Sequence, residues 1–194
     1  MRTPEKWERQ KTYILNRLFT PRLTQELLEF PMPKEFPQID LDSGQGLFLY
    51  GPAKVGKTVY AAQFVAYHYR RWWLGNSHHL RWNIHFVSAP RLFRELKTSF
   101  DPKARTETED MILTRYENAD LLILDDLGMN GRVSEWLLEV LFMISDYRWE
   151  NKKATIITSN YGLPELAELF GDDRIPSRIE RMCKIVKKTP YEKP

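Results

Sequence analysis

The stretch GPAKVGKT, residues 51–58, constrains this chain more than any other. Gly51 and Gly56 let the backbone curl so that successive N–H groups point inward at an anion. Lys57 follows at the position where an ammonium offsets β- and γ-phosphates, and Thr58 where a hydroxyl ligands Mg²⁺. A fold that uses such a loop must bring a strand into it and take a helix out. GLFLY (Gly46 to Tyr50) is a short apolar run that reads as a buried strand. Thr58 to Trp72 then runs without Gly or Pro, as a buried helix does. Strand, loop and helix together place phosphate at a helix N-terminus. The candidate nucleotide contacts are Gly51, Pro52, Ala53, Lys54, Val55, Gly56, Lys57, Thr58 and Val59, with ATP and Mg²⁺ as the expected ligands.

Three later segments extend this expectation. LLILDDLG (Leu121 to Gly128) is an aliphatic strand ending in two carboxylates. Asp125 is expected to hold Mg²⁺ opposite Thr58, and Asp126 to orient or deprotonate the attacking water. ATIITSN (Ala154 to Asn160) is a β-branched strand with a polar end. Its Asn160 amide is a candidate partner for the γ-phosphate, or simply a turn residue ahead of Gly162. In GDDRIPSRIERMC (Gly171 to Cys183), Asp173 is expected to cap a helix that tolerates Pro176 in its first turn. Ile175, Ile179 and Met182 share one face of it, and Arg174 and Arg178 another. Those arginines read either as a solvated face or as cations aimed at a neighbouring subunit's nucleotide.

In this order and at these intervals, the four segments resemble the AAA+ ATPases of the initiator and helicase-loader branch. The resemblance is to DnaC-type helicase loaders and their phage relatives, and to IstB-type transposition ATPases. It runs from about Gly44 to Lys188. It implies an α/β P-loop NTPase core: a five-stranded parallel sheet of order 5-1-4-3-2 flanked by helices. It assigns Asn160 as sensor 1, Arg178 as the arginine finger and Arg174 as its companion. With Lys57 and Asp126, these form the expected catalytic set. The implied function is a slow ATPase that oligomerises on single-stranded DNA through ATP-bridged interfaces and loads a replicative helicase. The alternatives are a helper of a transposase or a nucleotide-gated scaffold. Two features depart from the larger relatives. Asp stands at 126 where many carry Glu, which implies slow hydrolysis, and little sequence follows CKIVKK, so no C-terminal lid is expected.

The remaining sequence fits alternating strands and helices. NIHFVSAP (83–90) reads as a strand leading into a helix capped by Ser88, with Leu92, Leu96 and Phe100 in register. Thr106 and Glu109 suggest a capping box. Ser134 is expected to open a helix running to about Trp149, with Trp136, Val140, Ile144 and Tyr147 on its apolar face. Pro164 to Phe170 is expected to form a short helix stopped by Gly171. Residues 1–43 read as an arm with one amphipathic helix over Thr3 to Phe19, broken afterwards by Pro21, Pro31, Pro33 and Pro37. Residues 44–194 read as the ATPase core. The arm is expected either to pack across a sheet edge or to dock a partner.

Composition narrows the setting. A net charge of +3 permits nucleic-acid contact without demanding it. A single cysteine, Cys183, excludes an internal disulfide, and no apolar run is long enough for a bilayer, so a cytoplasmic protein is expected. The segment 68–83 interleaves arginines with tryptophans; Arg70, Arg71 and Arg81 are candidate DNA contacts, against the plainer reading that Trp72 and Trp73 end the helix behind the phosphate loop as core. Adjacent His78 and His79 are poorly spaced for zinc.

Overall fold

The computed structural model describes residues 3–75, 83–101, 103, 107–129 and 133–189 of the chain. They fall into two compact units, Met1–Gln38 with Thr58–Trp82, and Ile39–Lys57 with Asn83–Pro194.

The larger unit is built on five parallel strands: β1 (Gly46–Tyr50), β2 (Ile84–Ser88), β3 (Leu121–Leu127), β4 (Ala154–Ser159) and β5 (Cys183–Lys187). Their order is β2-β3-β4-β1-β5, the expected arrangement read from the opposite edge. Because parallel strands need crossovers, helices separate them in sequence. Central β4 is buried along its whole length, and β1 at all but its last residue. That pattern suits strands covered on both faces. Phe48, Leu122, Ile157, Leu92, Leu96, Leu141 and Ile179 belong to one continuous apolar core.

The helices of this unit show how local chemistry sets their ends. After β2, α4 (Ala89–Thr98) buries Leu92 and Leu96 as their spacing requires. Two expectations fail here. The Ser88 side chain makes no capping bond, and Phe100 lies beyond the helix, 58% exposed with its ring edge against Trp136. The amide of Ser99 closes the helix first, onto the Glu95 carbonyl, so the register ends before it reaches Phe100. Helix α5 (Glu109–Asn118) begins after Thr108, whose Oγ1 accepts from Met111 N at 3.3 Å. Glu109 is therefore the first helical residue, and Thr106 lies outside the described residues. Helix α6 (Glu135–Glu150) starts at its expected Ser134 cap. Helix α7 (Leu163–Phe170) ends on Gly171 at φ 65°, a conformation that costs a glycine little. Helix α8 (Arg174–Met182) buries Ile175, Ile179 and Met182 together. The Asp173 side chain makes no capping bond; Asp172 Oδ1 accepts from Arg174 N at 2.8 Å instead.

The smaller unit holds α1 (Pro4–Leu18), α2 (Pro21–Glu29) and α3 (Lys57–Leu74, from its second residue). The arm thus carries two helices rather than one. Pro21 does not break the chain; it is the first residue of α2, where its missing N–H has no helical partner to lose, and Thr20 Oγ1 accepts from Leu23 N at 3.3 Å. The arm packs on α3. Trp7 meets Trp73 edge-on at 5.7 Å, Phe36 meets Phe64 at 5.6 Å, and Gln63 Nε2 donates to the carbonyls of Phe30 and Pro31. Trp73 is accordingly core, 6% exposed, whereas Arg70 and Arg71 are exposed. His78, His79 and Arg81 lie outside the described residues.

Candidate nucleotide site

The loop between β1 and α3 adopts the backbone that its glycines permit. Gly51 has φ 145°, Lys54 66° and Gly56 79°, so the chain reverses its curvature repeatedly within a few residues. Gly51 is also required by space, since a Cβ there would sit 2.1 Å from the Lys188 carbonyl oxygen. Gly56 is the opposite case: a Cβ would meet no atom within 4 Å, so the loop opens on free volume. Pro52, Ala53 and Lys54 are exposed, Val55, Thr58 and Val59 are half-buried, and Thr58 and Val59 form the first turn of α3 after Lys57.

Lys57 is 5% exposed. Its Nζ donates to Gly51 O at 2.9 Å, Pro52 O at 2.7 Å and Asn160 Oδ1 at 2.8 Å, which uses all three ammonium protons. Burial pushes its pKa below the ordinary lysine value, while the charges of Asp126 and Asp125 oppose that shift. The structure therefore brings together Lys57, Asn160 and the acidic pair from three separate segments.

The acidic pair sits at a break in the sheet. Leu124 pairs with Ile157 but Leu127 with Ser159, so two residues of β3 lie opposite the single residue Thr158. Asp126 takes φ 58° there, a left-handed conformation unusual for a side chain other than glycine. Asp125 is not at the strand's end but inside it, 5% exposed, with Oδ1 accepting from Thr158 Oγ1 at 2.6 Å. The same hydroxyl accepts from Asp126 N at 2.9 Å. One residue on, Ser159 Oγ donates to Leu127 O and accepts from Tyr161 N. Sequence reasoning stopped at the end of this strand and passed over Thr158. The available signal was its place within the run Thr158-Ser159-Asn160, beside the strand that carries the acids.

Arg174 and Arg178 are engaged elsewhere in the same unit. Arg174 spans Asp172 and Glu139 at the surface. Arg178 pairs with Asp146 of α6 and lies over the Trp149 ring at 4.3 Å, its side chain only 15% exposed. Arg174 is thus half exposed, whereas Arg178 is largely covered within its own chain.

An open loop with inward-curling backbone, a buried ammonium and a carboxylate held within β3 fit a nucleoside triphosphate with a divalent cation. The family of IstB-like ATP binding proteins matches residues 38–189. The chain belongs to that family. The helicase loader DnaI of Bacillus subtilis is 28% identical over 127 residues, 66% of this chain and 37% of DnaI. Protein XkdC of the phage-like element PBSX in the same organism is 32% identical over 108 residues, 52% of this chain and 38% of XkdC. This IstB-like chain thus spans less than two fifths of the curated relatives' length. Among solved structures, the DnaC helicase loader superposes with a TM-score of 0.59 at 27% identity, covering 87% of this chain and 86% of that one. AMPPCP-bound DnaA from Aquifex aeolicus, at 21% identity and a TM-score of 0.59, shares the fold. Together these place the IstB-like core among P-loop ATP-binding domains of the AAA+ type. Among the described residues, no helix is long and apolar enough to cross a membrane.

Proposed function

We propose that this chain is a slow ATPase of DNA replication, which assembles on single-stranded DNA through ATP-bridged subunit contacts and loads a replicative helicase. The observation that carries the reading is the convergence of Lys57, Asn160 and the Asp125–Asp126 pair at the mouth of the phosphate loop. Likeness to the helicase loaders DnaI and DnaC supports the choice of partner.

In this reading the loop amides and Lys57 take the phosphates, exchanging the lysine's internal acceptors for phosphate oxygens. Thr58 and Asp125 would hold Mg²⁺, which would supply Lewis-acid polarisation of the terminal phosphate. Asp126 orients the attacking water, and Asn160, already tied to Lys57, faces the same terminal phosphate. Arg178, with Arg174 beside it, acts on the nucleotide of a neighbouring subunit after leaving Asp146. Hydrolysis then serves as a release signal.

A second reading, a helper of a transposase, follows from the resemblance to IstB-type ATPases that the family match supports. Affinity capture from the source cell with Asp126→Asn, a form that retains ATP and hydrolyses it poorly, separates the two. Recovery of a hexameric helicase supports the loader, recovery of a transposase replaces it with the helper, and recovery of neither removes both partners.

A further inference from the structure

Thr158 is the one residue of β4 that faces two residues of β3. A regular parallel ladder has no backbone acceptor to spare for the extra residue, so the inserted Asp126 amide must find its acceptor elsewhere. It finds the Thr158 hydroxyl at 2.9 Å. A hydroxyl carries one proton, and here it is committed to Asp125 Oδ1 at 2.6 Å. Thr158 has no exposed surface, so water does not compete for either bond. A single side chain therefore bonds one carboxylate and the left-handed backbone of the next residue.

From this we propose that Thr158 is a positioning residue for ATP hydrolysis, setting the Asp125 carboxylate toward the metal and the Asp126 carboxylate toward the water. The proposal rests on the nucleotide-site reading above. Its chemistry follows from geometry. Without the hydroxyl, Asp125 loses a neutral donor that helps orient it, and the part-buried Asp126 amide loses its acceptor. The bulge can then relax toward a regular strand, which would turn Asp126 to the other face of the sheet. Neither carboxylate is removed, yet both lose their aim. Loss of such an outer contact typically costs about 10- to 100-fold in activity or metal affinity.

The test compares Thr158→Val, which keeps the shape and deletes the hydroxyl, with Thr158→Ser, which keeps the hydroxyl and deletes a methyl. Three quantities are read: kcat and KM for ATP, the gain in affinity for a fluorescent ATP analogue when Mg²⁺ replaces EDTA, and the melting temperature without nucleotide. In Thr158→Val, kcat should fall about 10- to 100-fold and the Mg²⁺-dependent gain should shrink about tenfold or more, with KM changed far less. Thr158→Ser should recover most of both, although both variants melt below the wild type. If Val and Ser fall equally, in proportion to their melting temperatures, the role is structural and the proposal is overturned. If Val keeps wild-type kcat and the wild-type Mg²⁺ gain, it is overturned likewise. A wild-type chain that binds the analogue without turnover removes the hydrolysis reading but leaves the Mg²⁺ comparison to decide on Thr158. Should Val fail to melt cooperatively, Thr158→Ala carries the same comparison against Ser.

Discussion

Lys57 spends all three of its protons inside the protein, on the two loop carbonyls and on Asn160, so its replacement has two effects that must be read separately. Lys57→Ala should abolish nucleotide binding at concentrations that saturate the wild type, and should also leave Gly51 O and Pro52 O without their donor. Equilibrium binding of a fluorescent ATP analogue tests the first effect, and a thermal melt of the nucleotide-free protein the second. Asp126→Asn should retain affinity and lose turnover, which steady-state phosphate release against the same binding curve would show. His85 offers a test of a different kind. Burial pushes its pKa down, reinforced by the cations Arg115 and Arg148 and opposed by Glu107 and Glu95, with the Tyr116 ring edge-on at 5.9 Å. Because its folded pKa lies below the unfolded value near 6.5, the unfolded chain binds the proton first as pH falls. Stability should therefore be full above about pH 6.5 and decline below it. Urea melts from pH 7.5 to 5 should show a shallower decline in His85→Asn.

The element scale is governed by Arg148, the largest fully buried side chain among the described residues. Its guanidinium donates to the carbonyls of Tyr116, Glu117 and Ala119 at the end of α5, to Ala154 O and to Thr155 Oγ1 in β4. One residue of α6 thus ties a helix C-terminus to the start of a central strand, satisfying carbonyls that the helix itself leaves open. Burial pushes its pKa down to about 9, so it remains charged at neutral pH. Arg148→Met should fill much of the volume and strand these acceptors, at a cost on the order of 3 kcal/mol or more, read from the urea midpoint at unchanged slope. Periodicity could not disclose this role, since an arginine near a helix end ordinarily reads as a solvated charge. The five strands were legible because each is a short stretch rich in aliphatic or β-branched residues, and α6 and α7 because Ser134 and Gly171 mark their limits. Helix α2 was missed because a proline can start a helix as well as end one, and the difference lies in whether a residue such as Thr20 caps it. Phe100 was misplaced because spacing does not say where a helix stops. In the site, Lys57, the two acids and Asn160 were visible as motifs. Thr158 was not, because its importance comes from a one-residue slip between two strands that only pairing reveals.

For the whole molecule, the proposed contact between copies turns on the arginines of α8. Arg178 is held by Asp146 and Trp149 within its own chain. If it serves a neighbour's nucleotide, Arg178→Ala and Lys57→Ala should each be inactive alone, and mixing them should restore part of the turnover. Sedimentation must confirm that both variants still assemble; assembly without recovery would make Arg178 an internal tie. Binding to single-stranded DNA should weaken with salt, with a logarithmic slope of about −0.7 per phosphate contacted. A filter-binding titration should show preference for single strands over duplex, and the reverse order would favour the transposition helper. The sheet order has one more outcome. Lys188, just past β5, donates its N–H to Tyr50 O at 2.7 Å, and its carbonyl occupies the place a Gly51 side chain would need. Strand β5 and the residue after it therefore form the back wall of the phosphate loop. A fluorophore attached at Thr189 would reach the loop across the single residue Lys188, so its emission should respond to nucleotide occupancy.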